Sequence, residues 1–503
     1  MSIRITGMNS GLDTDSMVKE LVNAYQKKGE KNVKEKTKLE WKQEAWTDLN
    51  KKIKNFASKV RSLQYESNYS QKKTTSSDES KVSVVAGGNA VRGSQTISVD
   101  KLATTAYVTS GKLVGKDNAQ ITSKSTLADL GITSEDSTIT LKQGGKEVVI
   151  DANANTTVGE FVSKLNAAGL NASFDDKNGR MFISAEESGA ENDFSFLGDT
   201  DVLDKLGLTE KFDEKGNSIG ASIIKGEDAE ITLNGAKFTS STNSFDINGN
   251  AITVKGLTEG GKPLTLTTDT DTDAIYNNIK GVLKAYSELI NEVSKLYNAD
   301  VAKDYEPLTD EEKEAMSEDE VEKWETKIKD SLLRRDSNLA AVRNALTMSS
   351  LSAYEVNGEK LTLSDFGIGT LGYFAADENE RNALHIDGDE DDEEVSGKTN
   401  ELKKMIAGDP DKVAGFFSQF MRKISDSLDN ISKSTENRSY GSFYDDKKAT
   451  KDVKAYESKI SKWEDYVSDI EDKYYKQFSN MEKQLAKLNS TQTSLSNYFG
   501  MGM

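Results

Sequence analysis

The sequence predicts a multidomain α+β protein: coiled-coil terminal helices, a helical bundle, and an inserted β-rich head of two small domains. Three observations predict it. The chain has 503 residues, more than one core usually takes, and only three prolines, so long helices go uninterrupted. Apolar residues recur at alternating three- and four-residue spacing toward both ends. From Lys81 to Asp269 the composition shifts to Thr, Ser, Gly and Asn around short β-branched runs.

Taken in order, Asp13-Thr14-Asp15 can cap a helix that carries Met17, Leu21 and Tyr25. Its seam lapses into Lys- and Glu-rich sequence between Gln26 and Lys38. It resumes at Leu39, Trp46, Leu49, Ile53, Phe56, Val60 and Leu63. In the head, strands are expected at 82–86, 96–99, 139–141, 148–150, 181–184, 231–233, 251–254 and 264–267. Gly144-Gly145, Asn178-Gly179, Asn234-Gly235 and Asn248-Gly249 are the turn signals between many of them. Thr157 and Glu160 have capping-box spacing and open a short helix through Phe161, Val162 and Leu165 that Gly169 can stop, which makes the head α+β. Helix returns with Ile275, Ile279, Val282, Tyr286, Leu289, Val293 and Leu296. Thr309 with Glu312 and Ser317 with Glu320 start further turns, and seams through Ile328, Leu339, Val342, Leu346, Val413, Phe416, Phe420, Ile424 and Leu428 complete a bundle.

The tail repeats the pattern through Val453, Tyr456, Ile460, Trp463, Val467, Ile470, Tyr474, Phe478, Met481, Leu485 and Leu488, with a four–four stutter at Tyr474 to Phe478. Neither narrow terminal stripe can bury itself, so the two ends are expected to pack on each other or on copies. The bundle seam is expected to comprise Trp46, Leu49, Ile53, Phe56, Ile279, Val282, Tyr286, Leu289, Ile460 and Trp463. The expected domains are a terminal coiled coil (1–40 and 470–503), the helical bundle (41–80 and 270–469), a β-rich head domain (81–110 and 211–269) and an outer α+β head domain (111–210).

Composition narrows function. With 65 Lys plus Arg against 84 Asp plus Glu the net charge is −19, which argues against nucleic acid as the main partner. There is no cysteine for a disulfide or thiolate site, and the single histidine, His385, excludes a two-histidine metal site. No stretch approaches the roughly 18 apolar residues of a membrane span, and residues 1–21 lack the pattern of a cleaved signal peptide. Gly367 to Gly372 reads GxGxxG but lacks a βαβ context. Asp269, Asp271 and Asp273 fail the calcium-loop pattern at Ala274 and Lys280, and are expected before and within the first turn of the following helix. The run from Asp387 to Glu394 is expected to be a solvated loop. No cofactor is expected, and metal-dependent hydrolysis through carboxylates alone stays open.

At this point the ends become recognisable. Gly7-Met8-Asn9-Ser10-Gly11-Leu12-Asp13-Thr14-Asp15-Ser16-Met17-Val18 resembles the opening of the flagellar hook-associated protein 2 family, the bacterial filament caps, although Met8 and Asn9 stand where that opening often reads Gly-Leu-Gly-Ser-Gly. Leu39 to Trp46 is similar to the family's first long helix. Thr126 to Ile132 with Thr157 to Gly169 is similar to the small repeat of flagellin-type outer domains, which falls in 111–210. Ala229 to Gly235, Asp271 to Ile275, Pro307 to Glu312, Leu332 to Asp336 and Tyr475 to Ser490 follow in family order. The acidic run at Asp387 to Glu394 inherits no role.

The resemblance implies a non-enzymatic protein exported through the flagellar type III apparatus, with an export chaperone. It implies a small homo-oligomeric ring at the extracellular filament tip that helps flagellin fold and insert, prevents its loss, and neighbours the hook–filament junction proteins. The terminal helices would then dock into the filament end through Leu12, Met17, Leu21, Met481, Leu485, Leu488 and Leu495, and the bundle would form a leg domain. The alternatives are an adhesin whose head binds mucin or another host glycan, and a filament or junction subunit. No nucleic acid and no membrane insertion are implied.

Overall fold

The computed structural model describes residues 11–500; Gly7 to Ser10 of the opening motif, with the rest of residues 1–10 and 501–503, lie outside the described residues. The chain divides into an inserted unit, Ser70–Asp271, and a second unit made of the segments that flank it. The second unit begins with α1, Thr14–Ser62, an unbroken helix with its N-cap at Asp13, whose carboxylate accepts from the Ser16 N–H.

The inserted unit opens with β1 (Lys72–Ser76), β2 (Val82–Ala86), β3 (Gly93–Lys101) and β4 (Thr105–Thr109). Then come β5 (Thr138–Gln143), β6 (Lys146–Asp151), α2 (Val158–Ala167), β7 (Leu170–Asp175), β8 (Arg180–Ser188), β9 (Phe194–Gly198) and α3 (Thr200–Lys205). It closes with β10 (Ser222–Ile224), β11 (Ala229–Leu233), β12 (Ala236–Ser240), β13 (Ser244–Ile247), β14 (Asn250–Val254) and β15 (Leu264–Thr270). Two cores form. Sheets β1-β15-β3-β11-β12 and β13-β14-β2 bury Ile97, Val99, Ile231, Leu233, Ile252 and Leu266 between them, because alternate residues point to one face. Sheets β10-β4-β8-β7 and β6-β5-β9 bury Ile139, Leu141, Met181 and Ile183 together with Phe161 and Leu165 of α2.

The hairpin turns have the chemistry their sequence signals. Asn234-Gly235 joins β11 to β12 with φ of 48° and 84°, and Asn248-Gly249 joins β13 to β14 with 52° and 79°, the double positive φ that favours this dipeptide. The Thr157–Glu160 capping box is formed. Strand β1, within the stretch expected to be helical bundle, instead pairs antiparallel with β15, Lys72 opposite Thr270. Strands β4, β7, β9, β10, β12 and β13 were not expected as strands.

The flanking unit continues with α4 (Thr272–Asn298), α5 (Asp310–Glu314), α6 (Glu318–Ser331) and α7 (Ser337–Leu351). Two small hairpins follow, β16 (Tyr354–Val356) with β17 (Glu359–Leu361), and β18 (Ile368–Gly369) with β19 (His385–Ile386). Helices α8 (Glu401–Gly408), α9 (Pro410–Ile431) and α10 (Asp446–Gly500) complete it. Both expected capping boxes, Thr309–Glu312 and Ser317–Glu320, are formed. Pro410 takes the first position of α9, where its missing N–H costs nothing, and the Asp409 carboxylate accepts from Lys412 N–H. The core of α1, α4, α7, α8 and α9 is aromatic: Phe416, Phe417, Phe420, Phe366, Tyr354 and Tyr69 pack ring to ring. Burial pushes the Tyr286 hydroxyl up to about 12 even though it is hydrogen-bonded to Ser350.

Candidate assembly surface

Two amphipathic helices flank the bundle, and their pairing follows from their seams. Trp46, Leu49, Ile53 and Phe56 on α1 and Ile279, Val282, Tyr286 and Leu289 on α4 are buried together in the large core, and Trp46 stacks on Tyr444 at 5.4 Å between ring centres. Ile460 and Trp463 do not join them. Both are half-buried, and Trp463 packs in a separate small cluster with Val18, Val22, Val467, Tyr25, Tyr474, Tyr475 and Phe478, where α1 and α10 run side by side. The period of a seam fixes which face is buried but not which helix buries it.

This cluster also explains the lapse in the first seam. Gly29 is buried because the Trp463 indole lies against its backbone, with the indole N–H donating to the Tyr25 carbonyl at 3.1 Å. A Cβ on Gly29 would sit 2.6 Å from Trp463 Nε1 and closer still to Cδ1. The lapse is a notch that takes the largest side chain of the opposite helix. Gly29→Ala should therefore destabilise the helix pair, since overpacking costs about 1–3 kcal/mol against a helix-propensity gain of about 1 kcal/mol. Gly281→Ala on α4, where the nearest atom is Lys59 Nζ at 3.7 Å, should instead stabilise by about 0.5–1 kcal/mol. Urea midpoints that move in the same direction for both variants would count against the notch.

The intramolecular face of α1 is thus Thr14, Val18, Val22, Tyr25 and Gly29, a run sequence reasoning missed although its spacing of four, four, three and four is as regular as that of Met17 and Leu21. Leu12, Met17 and Leu21 lie outside it and are 41–45% exposed. On α10, Met481 and Leu485 are half-buried, while Leu488 and Leu495 are 64% and 51% exposed. Counting along the antiparallel pair from Gly29 and Trp463, Thr14 comes level with Phe478, so α10 beyond Phe478 runs past the first turn of α1.

The other motifs resolve as local structure. Gly367 ends a short turn at φ 67°, and Ile368-Gly369 enters β18. Asp273 lies in the first turn of α4, whereas Asp269 sits in β15 opposite Lys73 and Asp271 lies between strand and helix. The acidic run is a loop with Glu390, Asp391, Glu393 and Glu394 exposed, as expected, but its other acids are tied into the fold. Asp389 is buried and meets Lys280 Nζ at 2.5 Å, Asp391 meets the same ammonium at 2.6 Å, Asp392 meets His385 Nδ1 at 2.6 Å and Asp387 meets Lys398 at 2.9 Å. Burial alone would depress the Lys280 ammonium, but the two carboxylates raise it above the usual lysine range, and Lys280 holds Asp391 below the usual carboxylate range. Among the described residues no group of His, Asp or Glu could hold a metal ion, and no helix is long and apolar enough to cross a membrane.

The fold and these surfaces give a multidomain helical and β-rich chain whose terminal helices leave Leu12, Met17, Leu21, Leu488 and Leu495 exposed. A family model described as flagellar hook-associated protein 2 N-terminus matches residues 10–106, and one described as flagellar hook-associated protein 2 C-terminus matches residues 226–490. The chain belongs to the flagellar hook-associated protein 2 family, the filament-cap proteins of the flagellum. It is 25% identical over 542 residues to flagellar hook-associated protein 2 of Halalkalibacterium halodurans, covering 99% of this chain and 100% of that one. It is 26% identical over 321 residues to the A-type protein of Pseudomonas aeruginosa, covering 59% and 63%. The crystal structure of the D1-D2-D3 domains of the flagellar cap protein FliD from Escherichia coli is similar in fold, with a TM-score of 0.50 at 21% identity over 76% of this chain and 95% of that one.

Proposed function

We propose that this chain caps the distal end of the bacterial flagellar filament from outside the cell, as a small ring of identical copies that promotes folding and insertion of arriving flagellin and prevents its loss. The role is structural rather than catalytic. The observation that carries the docking role is the exposed apolar set on the terminal helices, Leu12, Met17, Leu21, Leu488 and Leu495, continued by half-buried Met481 and Leu485. Each leucine gains about 1.5–3 kcal/mol on full burial, so a partner that covers the set is strongly favoured. In this reading 1–40 and 470–503 are the docking segment, 41–69 and 272–469 the leg, 70–104 and 225–271 the inner head domain and 105–224 the outer one, because β1 pairs with β15 and because β4 and β10 pair in one sheet with β8 and β7. Delivery is through the flagellar type III export apparatus with an export chaperone, and the hook–filament junction proteins are neighbours in the same structure.

The test is immunogold labelling of intact flagella with antibody raised against residues 70–271. Gold confined to distal tips is the expected result, and gold along the shaft would overturn it in favour of a filament subunit. Leu488→Asp with Leu495→Asp should leave the chain folded and exported, because both side chains already face water. Tip labelling should fall at least about tenfold, since two carboxylates would have to be buried on docking. Undiminished tip label would remove the end of α10 from the docking surface.

A further inference from the structure

Beside the Trp463 notch the α1–α10 pair leaves an open groove of about 370 Å³, lined by Gln26, Glu30 and Val33 of α1 and by Trp463, Glu464, Val467 and Glu471 of α10. Its floor is apolar: Ile460, Trp463, Val467 and Val33, the last 45% exposed. Its charged lining is wholly acidic, Glu30, Glu464 and Glu471, with Glu464 and Glu471 seven residues apart on one flank of α10. The groove runs along residues 26–33 of one helix and 460–471 of the other, a length of about two to three helical turns. Such a trough fits an amphipathic helix with a narrow apolar stripe and basic neighbours.

Helix α1 carries that stripe on its far flank. Met17, Leu21, Ala24, Lys28 and Lys31 recur at four, three, four and three residues, a second heptad seam beside the one spent on α10, and all five face solvent. At 100° per residue they lie on the side of α1 opposite Gln26, Glu30 and Val33. Lys27 and Glu20 adjoin them and Glu35, paired with Lys38, takes the next position of the repeat, so over 24–31 the stripe carries three lysines and no acid against a trough with three glutamates.

We infer that the acidic groove of one copy receives the Met17–Lys31 stripe of α1 from a second copy. Because donor and acceptor lie on opposite flanks of the same helix, the contact is head-to-tail, which closes into a ring when the rotation between copies allows it. The inference deepens the capping proposal, on which it rests for its biological setting. It divides the exposed set: Met17 and Leu21 face the neighbouring copy, and Leu488 and Leu495 are left for the filament.

Charge exchange in the full-length chain tests it. Glu30→Lys with Glu464→Lys makes the groove basic, and Lys28→Glu with Lys31→Glu makes the stripe acidic. Each pair alone should weaken self-association, read by sedimentation velocity, by at least about tenfold with helix content by circular dichroism unchanged, because like charges then face each other. The quadruple variant, with both signs reversed, should recover association. Self-association that is unaffected by either pair, a quadruple variant that stays monomeric, or a wild-type chain that is monomeric at every concentration reached would each overturn the contact. A wild-type monomer whose tip labelling is abolished by groove reversal would assign the groove to a basic helix of another protein. Association that behaves as expected in chains that fail to label filament tips would leave the contact standing and remove the capping reading.

Discussion

Phe417→Ala should cost the helical unit about 3–5 kcal/mol, the range for emptying a fully buried aromatic site. Phe417 has no exposed surface and lies 5.2 Å from the ring centre of Phe416, 5.5 Å from Phe366 and 6.0 Å from Tyr69. Those rings come from α9, from the turn before β18 and from the short turn after α1, so no single neighbour can move in and fill the hole. Tryptophan emission makes the measurement specific, because all four tryptophans, Trp41, Trp46, Trp324 and Trp463, lie outside the inserted unit. In urea the tryptophan transition should move down by about 1–2 M for a slope of 2–3 kcal/mol per M. Phe374→Ala is the control: that ring is 100% exposed, and its loss should change stability by no more than about 0.5 kcal/mol. An unmoved tryptophan transition in Phe417→Ala would mean that the aromatic cluster does not hold the helical unit together.

Features set by neighbours a few residues away were legible in the sequence. The seams of Trp46 to Phe56 and Ile279 to Leu289, the capping boxes at Thr157, Thr309 and Ser317, and the Asn-Gly turns all depend on near neighbours, and all are present. Features set by distant partners were not. Asp389 is fixed by Lys280, 109 residues away, so a run of like charges that is exposed at Glu390, Glu393 and Glu394 is anchored at its buried member. Strand β7 alternates Leu170, Ala172 and Phe174, but Asn171, Ser173 and Asp175 between them are weak strand formers, and its existence rests on β8 beside it. Strand β10 is exposed along its whole length and is ordered by β4 alone. The Asn357-Gly358 turn between β16 and β17 carried a readable signal, with φ of 52° and 84°, and was overlooked. Of the assembly surface, periodicity located the helices and their stripes. Which stripe of α1 the chain keeps for itself depended on the Trp463 notch, and a glycine in a lysine-rich stretch does not advertise what will press against it.

The same notch sets what Val18→Asp with Val22→Asp should do. Both valines are buried against α10 beside Val467, at 0% and 4% exposure, among the aliphatic and aromatic side chains of that cluster. A carboxylate there is taken out of water into apolar surroundings, at a cost of several kcal/mol for each position. The gain available to the pair is small, because among the described residues the cluster has three fully buried side chains with five partly buried ones around them, so the substitution should separate α1 from α10 rather than strain them together. About four turns of α1, from Thr14 to Gly29, should then lose helix, while Trp46 and the bundle below keep their cooperative transition. Amide exchange resolves the two outcomes: protection lost over 14–29 with 46–60 still protected is expected, and loss along all of α1 would mean that the helix pair and the bundle fold as one unit. The contrast with Leu488→Asp and Leu495→Asp separates holding the docking element together from presenting it. The valine variant should lose tip labelling because the stripes of the two helices no longer sit on one scaffold, and the leucine variant should lose it with every amide on α1 still protected. If the valine variant labels tips like wild type, the exposed residues of α10 suffice for docking, and the α1–α10 pairing serves some step other than capping.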